Sequence, residues 1–238
     1  MNIDQRSLAY IEKVISTASL LGIENIIIEP GRVRAVDEDS TAILLQQANV
    51  PPMPFGSIGI NRINIFNARY NVVREAAKFE LTANVEGPEG ATYARSLLMK
   101  ARGVKIDYRC ANPATIRAPK GFNDVVKYRA QMHPDAVAHL QKAATAMESD
   151  ELLLVGNDTS VSFEVADVNG DKMTLVFGDT VDNMVSDDES PVYFAHKYPI
   201  KTLQRLFKHN PDGYFYVTSR GMLKIIVNEL DVYILPRT

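Results

Sequence analysis

The same order of elements can be read twice along this chain, and that repetition limits the possible folds more than any single motif does. In the second half a short apolar run, Tyr193-Phe194-Ala195-His196-Lys197-Tyr198, meets Pro199. Proline suits a helix start, because its φ is already helical and its missing N–H is not needed there. Over residues 200–209, Ile200, Leu203, Leu206 and Phe207 fall at helical spacing on one side, and Lys201, Arg205 and Lys208 fall on the other. An Asn-Pro-Asp-Gly turn at 210–213 stops this helix, and 214–217, 223–228 and 231–235 read as successive strands. The first half carries the same unit. Residues 55–60 lead into a helix near 62–73, with Ile63, Phe66, Tyr70 and Val73 on one apolar face and Arg62 and Arg69 together elsewhere on it. Ile65 and Val72 point away from that face, and Asn61, Asn64, Asn67 and Asn71 weaken the helix. Strands at 79–85, 92–100 and 104–110 follow.

Each half also opens on a helix. Residues 4–21 place Leu8, Ile11, Ile15 and Ala18 in a core stripe, Arg6 and Lys13 on the polar side, and Gly22 at the stop. Three short strands follow at 23–29, 32–37 and 41–48. In the second half His133-Pro134-Asp135 opens the helix, with Val137, Leu140, Ala144 and Met147 toward the core and His139 and Lys142 outside. Strands at 152–155, 161–165 and 173–177 come next, with turns at 156–158 and 169–171. The reading is therefore α+β: two pseudo-repeated domains, 1–116 and 133–238, with helices on one face of antiparallel sheets. Residues 117–132 show no clear periodicity and read as the connector between them.

Length and composition agree with two soluble domains: 238 residues, 46% hydrophobic, 23% charged and no low-complexity tract. Cys110 is the only cysteine, so no disulfide can form within the chain, and it reads as a buried strand residue. The opening Met1-Asn2-Ile3-Asp4-Gln5-Arg6 lacks a signal-peptide layout and no apolar run approaches a membrane span. The expected compartment is cytoplasm or nucleus. A net charge of -3 argues against an overall basic, phosphate-gripping domain. The charge is unevenly spread, however. Acids crowd turns and strand ends, as in Asp37-Glu38-Asp39, residues 148–151 and Asp187-Asp188-Glu189, whereas bases dominate the predicted helices.

Nothing points to catalysis. Among the four histidines, His133 and His139 are six apart and share a helix face poorly, and neither a cysteine pair nor an HExxH pattern accompanies them, so no metal is expected. Asp37 and Asp39 lie in a tight turn, where they serve as turn formers. Walker, GxGxxG and GxSxG motifs are absent, and no cofactor is expected.

Four stretches, taken in order, resemble the DNA polymerase sliding clamps of the proliferating cell nuclear antigen and tailed-phage processivity type. They are Ala35-Val36-Asp37-Glu38-Asp39-Ser40-Thr41-Ala42-Ile43-Leu44-Leu45, Ile58-Gly59-Ile60-Asn61 entering the second helix, residues 194–208 in the same role, and the closing Val232-Tyr233-Ile234-Leu235-Pro236-Arg237. The resemblance implies a non-enzymatic processivity factor: a homotrimer of six pseudo-equivalent domains that encircles duplex DNA and tethers the replicative polymerase. It implies opening by an ATP-driven clamp loader, and the sequence's distance from cellular forms suggests a viral or phage source. The DNA-facing residues would be Arg6, Lys13, Arg62, Arg69, Lys142, Lys201, Arg205 and Lys208 on the helices. Subunits would join through strand 104–110, with Val104, Ile106 and Tyr108, and strand 172–177, with Met173, Leu175 and Phe177. A partner-peptide pocket would comprise Phe122, Val125, Tyr128, Tyr233, Leu235 and Pro236. Two alternatives stay open: a processivity subunit that does not encircle DNA, and a transcription co-activator or other interaction scaffold on the same fold.

Overall fold

A computed structural model describes all residues except 47–48, 77, 89–90, 157–159, 184–192, 211–212 and 238, with the backbone alone described over 177–183. The expected turns at 156–158 and 210–213, the acidic run at 187–189 and the Phe177 side chain therefore lie wholly or partly outside the described residues. The chain divides into two compact units, Met1–Glu38 with Ile43–Gly121, and Asp39–Ala42 with Phe122–Thr238.

The first unit runs α1 (Gln5–Leu21), β1 (Asn25–Glu29), β2 (Arg32–Val36), β3 (Ala42–Gln46), β4 (Ser57–Asn61), α2 (Ile63–Val73), β5 (Glu80–Glu86), β6 (Tyr93–Ala101) and β7 (Val104–Arg109). Asp4 starts α1 by accepting the Ser7 N–H at 2.8 Å, and Gly22 ends it in the left-handed conformation at φ 74. The buried stripe of α1 is Ser7, Tyr10, Ile11, Val14, Ile15, Thr17, Ala18 and Leu21, while Leu8, expected inside, is half-exposed. The buried face of α2 is Ile63, Phe66, Tyr70 and Val73, and Ile65 and Val72 are exposed. Its entry is unusual. Arg62 occupies the N-cap at φ 54 and ψ 57 and makes no side-chain capping bond. Strand β1 pairs with β2 and β4, and β6 pairs with β5 and β7, all antiparallel; β4 joins β6 through a short parallel contact, Ser57 to Tyr93 and Ile58 to Ala94. Residues 1–3 lie along β5, with Ile3 N–H donating to the Leu81 carbonyl and Ala83 N–H to that of Met1.

The second unit repeats the order with one strand added before its first helix. It runs β8 (Val126–Gln131), α3 (Pro134–Ala146), β9 (Glu151–Gly156), β10 (Ser160–Ala166), β11 (Lys172–Asn183), β12 (Phe194–Pro199), α4 (Ile200–His209), β13 (Tyr214–Thr218), β14 (Leu223–Val227) and β15 (Leu230–Ile234). Strand β8 falls in the expected connector, where the sequence pattern predicts no element, and it pairs with β13 and the far end of β11. Its alternation is real but weakly coded: Tyr128 and Ala130 are buried, and Arg129, from the other face, lies 4.0 Å over the Tyr214 ring. In α3 the buried residues are Ala136, Val137, Leu140 and Ala143, rather than the expected Ala144 and Met147 in its last turn. Strands β9 and β10 alternate strictly between buried and half-exposed positions, so Leu152, Leu154, Val161, Phe163 and Val165 form one core face. Pro199 serves as the N-cap of α4, and Ile200, Leu203, Leu206 and Phe207 are buried. The tail folds back along β12, the Arg237 N–H donating to the Lys197 carbonyl at 2.8 Å.

Candidate nucleic-acid interface

On α4 a spacing of four and then three residues sets Lys201, Arg205 and Lys208 in one exposed stripe opposite the buried face. Arg205 and Lys208 pair with no acid among the described residues. Lys201 does: its Nζ lies 2.9 Å from Asp150 Oδ1, with the side chains 76% and 70% exposed. The Lys201 ammonium, by hydrogen bond and charge, holds the Asp150 carboxyl below its usual range. Asp150 is itself fixed by its backbone, since its carbonyl accepts the Ile200 N–H at 2.9 Å. Lys142 projects from the exposed side of α3, as does His139, whose Nδ1 contacts the Asp135 carbonyl at 2.7 Å.

In the first unit Arg6 on α1, Arg62 at the entrance of α2 and Arg69 along it are all exposed, while Lys13 is half-buried. Arg62 and Arg69 both lie near enough to Tyr108 to act on its hydroxyl, although burial dominates and pushes that group up to about 12. Helices α1 and α2 are tied together where they meet, with Tyr70 Oη donating to Glu12 and Asn67 Nδ2 to Ser19 Oγ at 2.8 Å. Two of the asparagines that weaken α2 in isolation thus have a structural role: Asn64 Nδ2 donates to Glu24 Oε1 at 2.7 Å, alongside Asn67.

The four helices together carry seven Lys and Arg against two Asp and Glu, a balance of +5. The rest of the chain carries 19 against 27, a balance of -8, which restores the total of -3. Basic charge is therefore segregated onto the helices of an acidic protein. Among the described residues no group of three or more His, Cys, Asp or Glu could hold a metal ion, and no helix is long and apolar enough to cross a membrane.

No family profile and no curated protein matches the sequence. Solved structures do. PCNA from A. fulgidus, in complex with the C-terminal region of FEN-1, matches with a TM-score of 0.62 at 14% identity, over 96% of this chain and 95% of that one. PCNA from Thermococcus kodakaraensis matches with 0.60 at 14% identity, over 100% and 99% of the two chains. Proliferating cellular nuclear antigen from Entamoeba histolytica gives 0.61 at 10%, over 97% and 96%.

This is the sliding-clamp fold. Among the described residues of this clamp-fold chain, β7 pairs with β6 alone, and β11 pairs only with β10 until Thr180, where it joins β8. The edge of β7 carries Val104, exposed, and Ile106, half-exposed; the edge of β11 carries Met173, exposed, Leu175, half-exposed, and Val176, 71% exposed. Tyr108 differs from expectation. Its ring is fully buried against Phe66 and its hydroxyl donates to the Asn61 carbonyl, so only its backbone is at the edge.

The expected pocket residues divide in the same way. Phe122 meets Tyr233 edge-to-face at 4.8 Å, Leu235 and Pro236 are half-exposed, and Val125 is 61% exposed. Tyr128 is fully buried, packed edge-on against Phe194, and lines no surface, because β8 turns it into the core. Asp150 and Glu24 escape sequence reading. Their roles come from partners 51 and 40 positions away, and no local pattern marks them.

Proposed function

We propose that the chain is a subunit of a homotrimeric ring that encircles duplex DNA and acts as a non-enzymatic processivity factor for a replicative DNA polymerase. The observation that carries this reading is the segregation of charge: +5 on the helices and -8 elsewhere, on a sliding-clamp fold. A duplex offers a regular field of phosphates, and a protein that holds it without reading sequence needs weak, distributed positive charge on one surface. Arg6, Arg62, Arg69, Lys142, Lys201, Arg205 and Lys208 supply it, with Lys13 at its margin. The ring closes by pairing β7 of one subunit with the first half of β11 of the next, covering Val104, Ile106, Met173 and Leu175. The FEN-1 segment bound to A. fulgidus PCNA supports a peptide-docking role here too. Phe122, Val125, Tyr233, Leu235 and Pro236 would receive the polymerase and a clamp-loading ATPase. The protein works where DNA is replicated, in the cytoplasm or nucleus, and a viral source fits its divergence.

Light scattering over a dilution series tests the assembly, with a mass near three times 26.5 kDa expected. Retention on closed circular DNA, with release after linearisation, tests encirclement. A persistent monomer that still binds DNA would replace the ring by a non-encircling subunit, and a protein with no salt-sensitive DNA binding would leave an interaction scaffold.

A further inference from the structure

The open edges of β7 and β11 differ from each other in which residues they leave unpaired. In an antiparallel ladder, successive residues turn their N–H and C=O alternately to one side and to the other. The Cys110 N–H donates to the Arg95 carbonyl at 2.9 Å, in step with the β6–β7 register, so Val104, Ile106 and Tyr108 bond toward β6. Lys105, Asp107 and Arg109 therefore hold the backbone groups that face the open edge. On β11 the Asp171 carbonyl accepts the Asp167 N–H at 3.0 Å, so Met173 and Leu175 bond toward β10, and Lys172, Thr174 and Val176 face out. Past Val176 the β10–β11 register shifts, which ends the regular edge there. Each strand thus offers one run of three outward residues.

An antiparallel pairing that satisfies every outward residue of both runs has one register. We propose that β7 of one copy of this chain lies against β11 of a second copy with Lys105 opposite Val176, Asp107 opposite Thr174 and Arg109 opposite Lys172. This rests on the ring reading above and fixes its register. A slip of one residue would turn Ile106 and Leu175 to opposite faces, and a slip of two would leave outward backbone groups of both strands without partners. In the proposed register Ile106 lies directly opposite Leu175, both half-exposed in the single chain, and Met173 lies opposite the buried Tyr108. The other face brings together three bases, Lys105, Arg109 and Lys172. Glu164 already holds Lys172 at 2.6 Å. Asp107 comes diagonal to Lys172 and stands two positions from both Lys105 and Arg109. Asp107 is thus the acid that balances this face, and the residue by which one copy recognises the next.

The test uses the full chain under mild oxidation, read on a non-reducing denaturing gel, at a concentration where light scattering gives the assembled mass. Residues that face each other without sharing ladder bonds sit about 4.5 Å apart at Cα, within disulfide reach, whereas an offset of two residues gives about 7–8 Å and lies beyond it. Ile106→Cys with Leu175→Cys should therefore link subunits into covalent dimers and trimers. Ile106→Cys with Met173→Cys should stay unlinked, as should the wild-type chain with Cys110 alone. Asp107→Asn should raise the concentration midpoint of assembly about two- to five-fold, the scale of one opposite-charge contact between strands, and Asp107→Glu should leave it close to wild type. Linking of the 106–173 pair in preference to the 106–175 pair, or of neither in an assembled protein, overturns the register. A midpoint unmoved by Asp107→Asn overturns the role given to that acid. A wild-type chain that stays monomeric would instead remove the ring reading itself, and this proposal with it.

Discussion

Phe66 joins the helix and sheet layers of the first unit. It stacks on Tyr70 with centroids 5.8 Å apart and meets Tyr108 edge-on at 4.9 Å, and all three rings are buried. Phe66→Ala should cost about 3–5 kcal/mol, read as a lower denaturation midpoint for this unit, because the surrounding rings cannot close the gap. A second residue-scale prediction concerns His196, whose ring lies between Phe194 and Tyr198 at 6.1 and 6.4 Å and is held below its ordinary value by burial. The unfolded chain therefore takes up this proton at higher pH than the folded one. Its contribution to stability is full above the unfolded value near 6.5 and declines as pH falls from there through the folded value. His196→Gln should flatten that part of a melting-temperature profile. Phe66, Tyr70 and Val73 are legible in the sequence because helical periodicity names the buried face directly. The burial of Tyr108 and Tyr128 is not, because strand alternation gives two faces without saying which lies under a helix.

At the scale of elements, the edges of β7 and β11 are the features on which the proposed ring depends. A proline removes a ladder donor, so Ile106→Pro or Leu175→Pro should shift the protein toward monomers by light scattering. A circular dichroism check that the monomer stays folded separates assembly from unfolding. Helices α1, α2 and α4 are readable to within a residue or two because caps and stops such as Asp4, Gly22 and Pro199 frame an apolar stripe. Strand β8 escapes sequence reading for a physical reason. It is six residues long, only Tyr128 and Ala130 are fully buried, and both its neighbours are distant in sequence. The extension of β11 to Asn183 likewise depends on β8 being present to receive it.

For the whole molecule, the two-fold repeat is legible because order and spacing survive where identity does not, and the solved clamps share only 10–14% of their residues with this chain. The candidate surface is legible as a set of helix cations, but the pairing of Lys201 with Asp150 is not, since Asp150 lies 51 positions away, just before β9. Charge reversal of Lys201, Arg205 and Lys208 together should abolish duplex binding in moderate salt while leaving the assembly mass unchanged. Neutralising the same three should lower the salt slope by about 0.9 for each phosphate that is no longer neutralised.

Cys110 follows the free edge of β7 directly, anchored by its N–H to the Arg95 carbonyl at 2.9 Å. Burial, with Asp107 adding to it, pushes its thiol up to about 12. At neutral pH almost none of it is thiolate, so an alkylating reagent should react slowly while the strand end stays in place. Because that burial is supplied within the single chain, the thiol is a built-in reporter of local opening: labelling that quickens in denaturant well below the global midpoint would time the fraying of this strand end without an added probe.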